Sequence, residues 1–132
     1  MPGRKAEIVR EFGRRFATRD FEGMRPLLHP EAVIWPPEGW PEKGPMKGVD
    51  AAIRQFERLA EDYAAQQMEF DELIDYGDGM VGRLRWRVRA RHSGIESELE
   101  LWWANRMRGD QIVEIRYFWN RDDALEAGGL KE

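Results

Sequence analysis

The fold is decided by Met80–Arg108, MVGRLRWRVRARHSGIESELELWWANRMR. Positions 83, 85, 87, 89 and 91 are all Arg, while Leu84, Trp86, Val88 and Ala90 fill the positions between them. A period of two is the signature of a strand with one face in water and one in a core. Met80 to His92 therefore reads as a strand, Ser93-Gly94 as a two-residue hairpin loop, and Ile95 to Met107 as the returning strand. That loop sets Arg91 opposite Glu96, Arg89 opposite Glu98, Arg87 opposite Glu100, and Arg85 opposite Trp102 for a cation–π contact. A slip of one residue would put Arg beside Leu, so this register is strongly specified. Each exposed pair contributes only about 0.2–1 kcal/mol, so the ladder reports geometry more than stability.

The next hairpin follows the same rule. Arg108-Gly109-Asp110 turns the chain, and Ile112 to Trp119 reads as the last strand. A loop of Gly109 to Gln111 pairs Met107 with Val113, Asn105 with Ile115, Trp103 with Tyr117 and Leu101 with Trp119, all on the apolar side. The outer side pairs Arg106 with Glu114 and Trp102 with Phe118. Trp102 and Phe118, with Arg85 nearby, make an aromatic patch on a charged face, and exposed apolar patches mark interfaces. A homodimer through this outer face is the expectation.

Upstream of Met80 the period changes. Ile8, Val9, Phe12 and Phe16 recur at helical spacing from Lys5 to Arg19. Asp20 is placed to cap a short helix over Phe21 to Leu28, which Pro30 stops, and Ala32 to Trp35 reads as a short strand. Residues 36 to 48 hold four Pro and three Gly, which forbids a helix there. Asp50 reads as the N-cap of a helix near 51 to 64 with an apolar face of Ile53, Phe56, Leu59, Ala60 and Tyr63. Met68 to Tyr76 reads as a strand, Gly77-Asp78-Gly79 as a turn, and Asp122 to Ala127 as a last helical turn ended by Gly128-Gly129. Helices followed by an antiparallel meander make an α+β domain.

Composition narrows the function. The 132 residues suit a single domain over 1–132. Acidic residues outnumber basic ones 25 to 21, which argues against a general nucleic-acid or acidic-membrane binder. There is no Cys, so disulfide frameworks and thiol chemistry are excluded. No apolar run approaches the roughly 18 residues of a membrane span, and residues 1–10 are charged, so a cytoplasmic location is expected. The only two His, His29 and His92, sit at a helix end and a hairpin, so no metal site is expected.

The inner face carries Trp86, Val88, Leu99, Leu101, Trp103, Val113, Ile115, Tyr117 and Trp119, and the helical faces must cover it. A curved sheet wrapped on a long helix leaves a cone-shaped cavity at its open end. The residues expected around such a pocket are Phe12, Phe16, Trp40, Phe56, Tyr63, Trp86, Trp103, Asn105, Tyr117 and Trp119. Asn105 is the one clearly polar residue on the inner face of the middle strands. It either orients a ligand carbonyl or satisfies a neighbour. Glu72, if it faces inward, has a pKa raised by burial and is a candidate base. Glu38 and Glu42 are candidate bases at the pocket mouth, with solvated loop acids the plainer reading.

Several strings resemble one family in order along the chain. They are Phe21 to Trp35 (FEGMRPLLHPEAVIW), the loop ending at Lys47-Gly48, Leu73 to Gly77 (LIDYG) and Ile112 to Leu130 (IVEIRYFWNRDDALEAGGL). Together they resemble the SnoaL-like branch of the NTF2-like superfamily, which also holds ketosteroid isomerase, limonene epoxide hydrolase, scytalone dehydratase and polyketide cyclases. The resemblance implies a cone-like α+β barrel: N-terminal helices on a curved, mainly antiparallel sheet, an interior pocket and usually a dimer. A ketosteroid isomerase-like alignment puts the oxyanion-hole tyrosine on Phe12, the aspartate base near Pro36 and the protonated acid on Trp103. Phe and Pro offer no proton site and indole does not titrate, so that reaction is not expected. The epoxide hydrolase pattern needs an inward Arg between two Asp, and the strand Arg residues point outward. The scytalone dehydratase pattern needs inward His. The expectation is a protein that binds a flat, mostly apolar small molecule. If it is an enzyme, it carries out cofactor-independent proton transfer at carbon: isomerisation, cyclisation or dehydration. The alternative is a non-catalytic dimeric binding or interaction module whose pocket its own side chains fill.

Overall fold

A computed structural model of the chain describes residues 3–41 and 43–130. The helices are α1 (Arg4–Ala17), α2 (Phe21–Met24), α3 (Val49–Glu61) and α4 (Arg121–Ala127). The strands are β1 (Leu28–Trp35), β2 (Met46–Lys47), β3 (Tyr63–Asp75), β4 (Met80–Ala90), β5 (Glu96–Arg108) and β6 (Gln111–Phe118). They form one sheet in the order β2-β1-β6-β5-β4-β3. The pairings are antiparallel except β1 with β6, which run parallel. This is the expected α+β architecture of helices on a curved, mainly antiparallel sheet, but the sheet stays open with β2 and β3 as edges and does not close into a barrel.

Local chemistry explains most element ends. Asp20 accepts the Gly23 N–H at 2.9 Å and caps α2. Only one α-turn follows, because Arg25–Leu27 tightens into a 3-10 turn. The strand then starts at Leu28, four residues before the expected Ala32. Pro30 is accommodated because the β1–β6 register is irregular between Leu28 and Val33, where no ladder donor is required. Gly48, with φ of 92°, precedes α3 in place of Asp50, and Asp50 instead pairs with Arg25 at 2.5 Å. Tyr63 opens β3 and does not extend the helix; its carbonyl accepts from Arg19 at 2.6 Å and from Arg91 at 3.2 Å.

Both hairpins keep the expected faces, and one keeps its register. Across β4–β5, Arg89 lies opposite Glu96, Arg87 opposite Glu98, Arg85 opposite Glu100 and Arg83 opposite Trp102. The pairing is thus two residues away from the expected one. A shift of two preserves which side chains face the core, so alternation cannot detect it. The loop is longer because the Ala90 N–H donates to the Ile95 carbonyl at 2.9 Å, leaving residues 91–94 outside the ladder. Arg91 turns away and its side chain donates to the Glu61 carbonyl at 3.0 Å. Across β5–β6, Trp103 faces Tyr117, Asn105 faces Ile115 and Trp102 faces Phe118, as expected. A register shift beyond Arg106 then pairs Met107 with Ile112 instead of Val113.

Two apolar clusters result. The main one lies between the sheet and helices α1 and α3, and includes Phe12, Phe16, Ile53, Phe56, Trp86, Trp103 and Ile115. The second lies on the other face, where α4 lays Ala124 on Val81, Trp102 and Ala104. This corrects the outer aromatic patch. Trp102 is only 5% exposed, and the guanidinium carbons of Arg83 and Arg121 lie 6.0 and 5.9 Å from its ring centre. The exposed ring that motivated the dimer through Trp102, Phe118 and Arg85 is therefore covered by the chain's own last helix. Arg85 instead lies 3.7 Å from Asp71.

The charged face sets the response to acid. Arg83 grips Asp71 with two hydrogen bonds, at 2.7 and 3.0 Å, and holds its carboxyl below the usual carboxylate range. Asp75 is lowered likewise by the Gly77 N–H and by Lys5. A carboxyl whose folded pKa is depressed stabilises the fold above its unfolded value, about 3.9, and loses that contribution as pH falls through the lower folded value. Urea melts from pH 6 down to pH 2 are expected to show Asp71→Asn with a weaker loss of stability below about pH 4 than the parent chain. Parallel curves for the two proteins would refute this assignment.

Candidate functional site

A cavity of about 60 Å³ opens between α3, the Pro-rich loop and the inner face of the sheet. Helix α3 supplies Gln55, Phe56 and Leu59; β1, the loop and β2 supply Ile34, Pro36, Pro37, Trp40 and Met46. The sheet contributes Met68, Leu84, Trp86, Leu101 and Tyr117. The site exists because α3 repeats apolar residues at helical spacing and the strands alternate, so both present apolar faces to one space.

Polar groups there are few and placed. Gln55 is only 3% exposed, and Arg58 donates to its side-chain Oε1 at 2.8 Å. The Trp86 indole N–H is spent on Gln66 Oε1 at 2.9 Å, so Trp86 offers the cavity an apolar ring. Burial alone pushes the Tyr117 phenol above its ordinary range; no hydrogen bond or neighbouring charge contributes. Tyr117 therefore stays protonated and acts as a donor, not a base. Among the described lining residues there is no carboxylate, imidazole or ammonium. Among the described residues, no group of three or more His, Cys, Asp or Glu is placed to hold a metal ion.

The expected site residues separate into groups. Trp40, Phe56, Trp86 and Tyr117 line the cavity. Phe12, Trp103 and Asn105 border a smaller void of about 10 Å³, shared with Tyr117. Phe16 packs edge-on against Phe56 and Trp86, with ring centres 5.5 and 6.3 Å apart, and Tyr63 packs on Trp86 at 5.5 Å; both act as core. Trp119 departs from its expected inner position. Strand β6 ends at Phe118, and Trp119 is 46% exposed, donating its indole N–H to the Glu38 carbonyl at 2.7 Å beside the Trp40 ring. It pins the Pro-rich loop from outside.

Asn105 satisfies a neighbour. Its Oδ1 accepts the Met80 N–H at 2.9 Å, and its carbonyl accepts the Tyr76 hydroxyl at 2.5 Å. Glu72 is exposed and does not face inward. It sits at the register shift in β3 with φ of 52°, which takes its side chain out of alternation. Glu38 is exposed, and Glu42 lies outside the described residues. His29 caps its own turn, accepting the Glu31 N–H at 3.0 Å, and His92 is exposed. Gln55 was missed. Its signal is a polar residue at helical spacing, three after Ala52 and four before Leu59, on an otherwise apolar face.

An open, curved sheet with α1 and α3 across its inner face and a largely apolar cavity between them is the NTF2-like arrangement. The chain belongs to the SnoaL-like domain family, whose profile matches residues 9–115. Solved structures share the fold. An NTF2-like protein of unknown function from Burkholderia pseudomallei is 22% identical, with a TM-score of 0.77 over 94% of this chain and 96% of that one. TerC co-crystallised with polyporic acid is 19% identical, with a TM-score of 0.77 over 89% and 92%. Rv0760c of Mycobacterium tuberculosis, in complex with estradiol-17beta-hemisuccinate, is 21% identical, with a TM-score of 0.76 over 90% and 95%. No curated protein sequence matches the chain. No helix among the described residues is long and apolar enough to cross a membrane.

Proposed function

We propose that this protein binds a neutral, mostly apolar small molecule in the α3–sheet cavity and does no acid–base chemistry there. The observation that carries this reading is the lining itself: apolar and aromatic walls, one buried amide at Gln55, one phenol that stays protonated, and no described group able to accept a proton at neutral pH. Apolar burial with a few placed polar groups is what small-molecule sites use. General acid–base catalysis needs a group whose pKa lies near the working pH, and Tyr117 is shifted the other way. Met46 and Met68 are unbranched, flexible walls that let the space adapt to its occupant. The fold-sharing structures that hold polyporic acid and estradiol-17beta-hemisuccinate support ligand binding as the use of such a cavity.

The test is a thermal-shift screen of steroids, terpenoids and aromatic polyketides, followed by titration of hits using tryptophan fluorescence. A ligand at a hundredfold excess over Kd stabilises the native state by about 2.7 kcal/mol and raises Tm by several degrees. Leu59→Trp, which fills the cavity from α3, is expected to abolish that shift while the protein stays folded. No shift from any compound, or a shift that survives Leu59→Trp, would overturn the assignment.

A further inference from the structure

Gln55 lies on α3 in the wall of the α3–sheet cavity and is 3% exposed. Among the described residues its side chain makes one hydrogen bond: Oε1 accepts from Arg58 at 2.8 Å. A guanidinium can only donate, so this contact fixes which end of the amide is the oxygen. The Nε2 end keeps two hydrogens with no acceptor among the described residues. The two ends of a planar amide diverge, and Arg58 is exposed, so the nitrogen faces away from the outer surface. It is not sealed off, as the partnerless nitrogens of Gln66 and Trp103 are, and the open space that the Gln55 side chain borders is the cavity. A buried amide left half-paired is destabilising, and its neighbours Ala52, Ile53, Phe56 and Leu59 make this face of α3 otherwise apolar. A leucine at position 55 would serve packing alone better. A glutamine amide ordinarily both donates and accepts; held by Arg58 it is turned into a donor, and the bond from the guanidinium polarises its N–H groups further.

Resting on the binding reading above, we propose that Gln55 is the specificity-determining residue of the cavity: its Nε2 donates to an uncharged acceptor oxygen, of ether or ester type, on the α3 side of an otherwise apolar ligand. Arg58 is the positioning residue that keeps the amide in this orientation. Hydrocarbons leave the Gln55 nitrogen unpaired, and ligands that can only donate meet another donor there.

Indane and phthalan differ by one ring CH2 replaced with an ether oxygen, and both are titrated by calorimetry into the full chain. Gln55→Leu is expected to lower the ratio of phthalan to indane affinity about fivefold. Gln55→Glu keeps the size and the Arg58 partner but puts an oxygen in place of the nitrogen, and should lower the ratio at least as far. Arg58→Lys, which still donates, is expected to keep the ratio, and Arg58→Met to lower it. Without ligand, Gln55→Leu is expected to melt at or above the parent Tm, whereas an amide that serves structure alone would leave the variant less stable. In the parent protein the Gln55 side-chain NH2 resonances should move on adding phthalan and stay near their free positions with indane, a readout that needs no variant. A ratio unchanged in both Gln55 variants, a ratio that falls only in Tyr117→Phe, a Gln55→Leu Tm several degrees lower, or NH2 resonances unmoved by phthalan overturns the Gln55 site and leaves the apolar cavity standing. Failure of both phthalan and indane to bind overturns both readings.

Discussion

Phe16→Ala is expected to lower the free energy of unfolding by about 3–5 kcal/mol, at the upper end of what a single core truncation costs. Phe16 is 1% exposed and touches three other rings: Phe21 at 6.4 Å, Phe56 at 5.5 Å and Trp86 at 6.3 Å between centres. Edge-on aromatic pairs add roughly 0.5–1.5 kcal/mol beyond the apolar area they bury. Phe16 also connects the helices to the sheet, since Phe56 lies on α3 and Trp86 on β4. Its removal leaves a hole behind two walls of the cavity, so stability and ligand affinity should fall together. Against a typical total of about 5–15 kcal/mol, the loss is about a fifth or more. Differential scanning calorimetry should show Tm lower by roughly 10–20 °C. A change below about 1 kcal/mol would mean the aromatic cluster is not the centre of the core.

Gly79→Ala should be nearly as severe, for a different reason. A Cβ at position 79 would lie 2.0 Å from the carbonyl oxygen of Asn105 and 2.8 Å from its Oδ1. The nearer atom belongs to the backbone of a central strand, so it has no rotamer by which to withdraw. The clash falls on a clamp that holds the β3–β4 turn to β5: Met80 N–H to Asn105, Tyr76 hydroxyl to the Asn105 carbonyl, and Met107 N–H to the Asp78 carbonyl at 2.8 Å. Overpacking combined with an unpaired buried N–H should cost about 2–5 kcal/mol. Hydrogen exchange at the Met80 amide should accelerate more than exchange in β6. Gly77→Ala is the control, because a Cβ there meets open space and the cost is only that of a left-handed φ of 101°, about 1–2 kcal/mol. Equal destabilisation by the two substitutions would show that turn conformation, not the Asn105 contact, is what matters.

Parity was legible and turn length was not. The run of Arg at alternate positions assigns faces with certainty, because an arginine cannot be buried along a whole strand. It cannot tell a two-residue loop from a four-residue one. That choice rests on Arg91, which is drawn out of the ladder by the carbonyls of Glu61 and Tyr63, and on the Arg91 N–H, which reaches the Asp62 carbonyl at 3.3 Å. Those partners lie some thirty positions away in sequence. The outer aromatic patch failed similarly. Nothing local in Arg121–Ala127 announces that this short, polar helix folds over Trp102 through one buried alanine. The site was half legible. Trp40, Phe56, Trp86 and Tyr117 follow from amphipathic faces meeting, while Gln55 is one polar residue that only its neighbours' spacing singles out.

The sequence by itself determined which residues face inward, the α+β class, and the aromatic character of the space between helices and sheet. These depend on periods of 2 and 3.6 residues, which any short window contains. Only the tertiary structure decided the β4–β5 register, the covering of Trp102, the engagement of Asn105 by Met80 and the Trp103 indole N–H that finds no partner among the described residues. Each depends on groups brought together from distant positions, where the free energy of a hydrogen bond or a filled gap is settled by whichever partner the fold delivers.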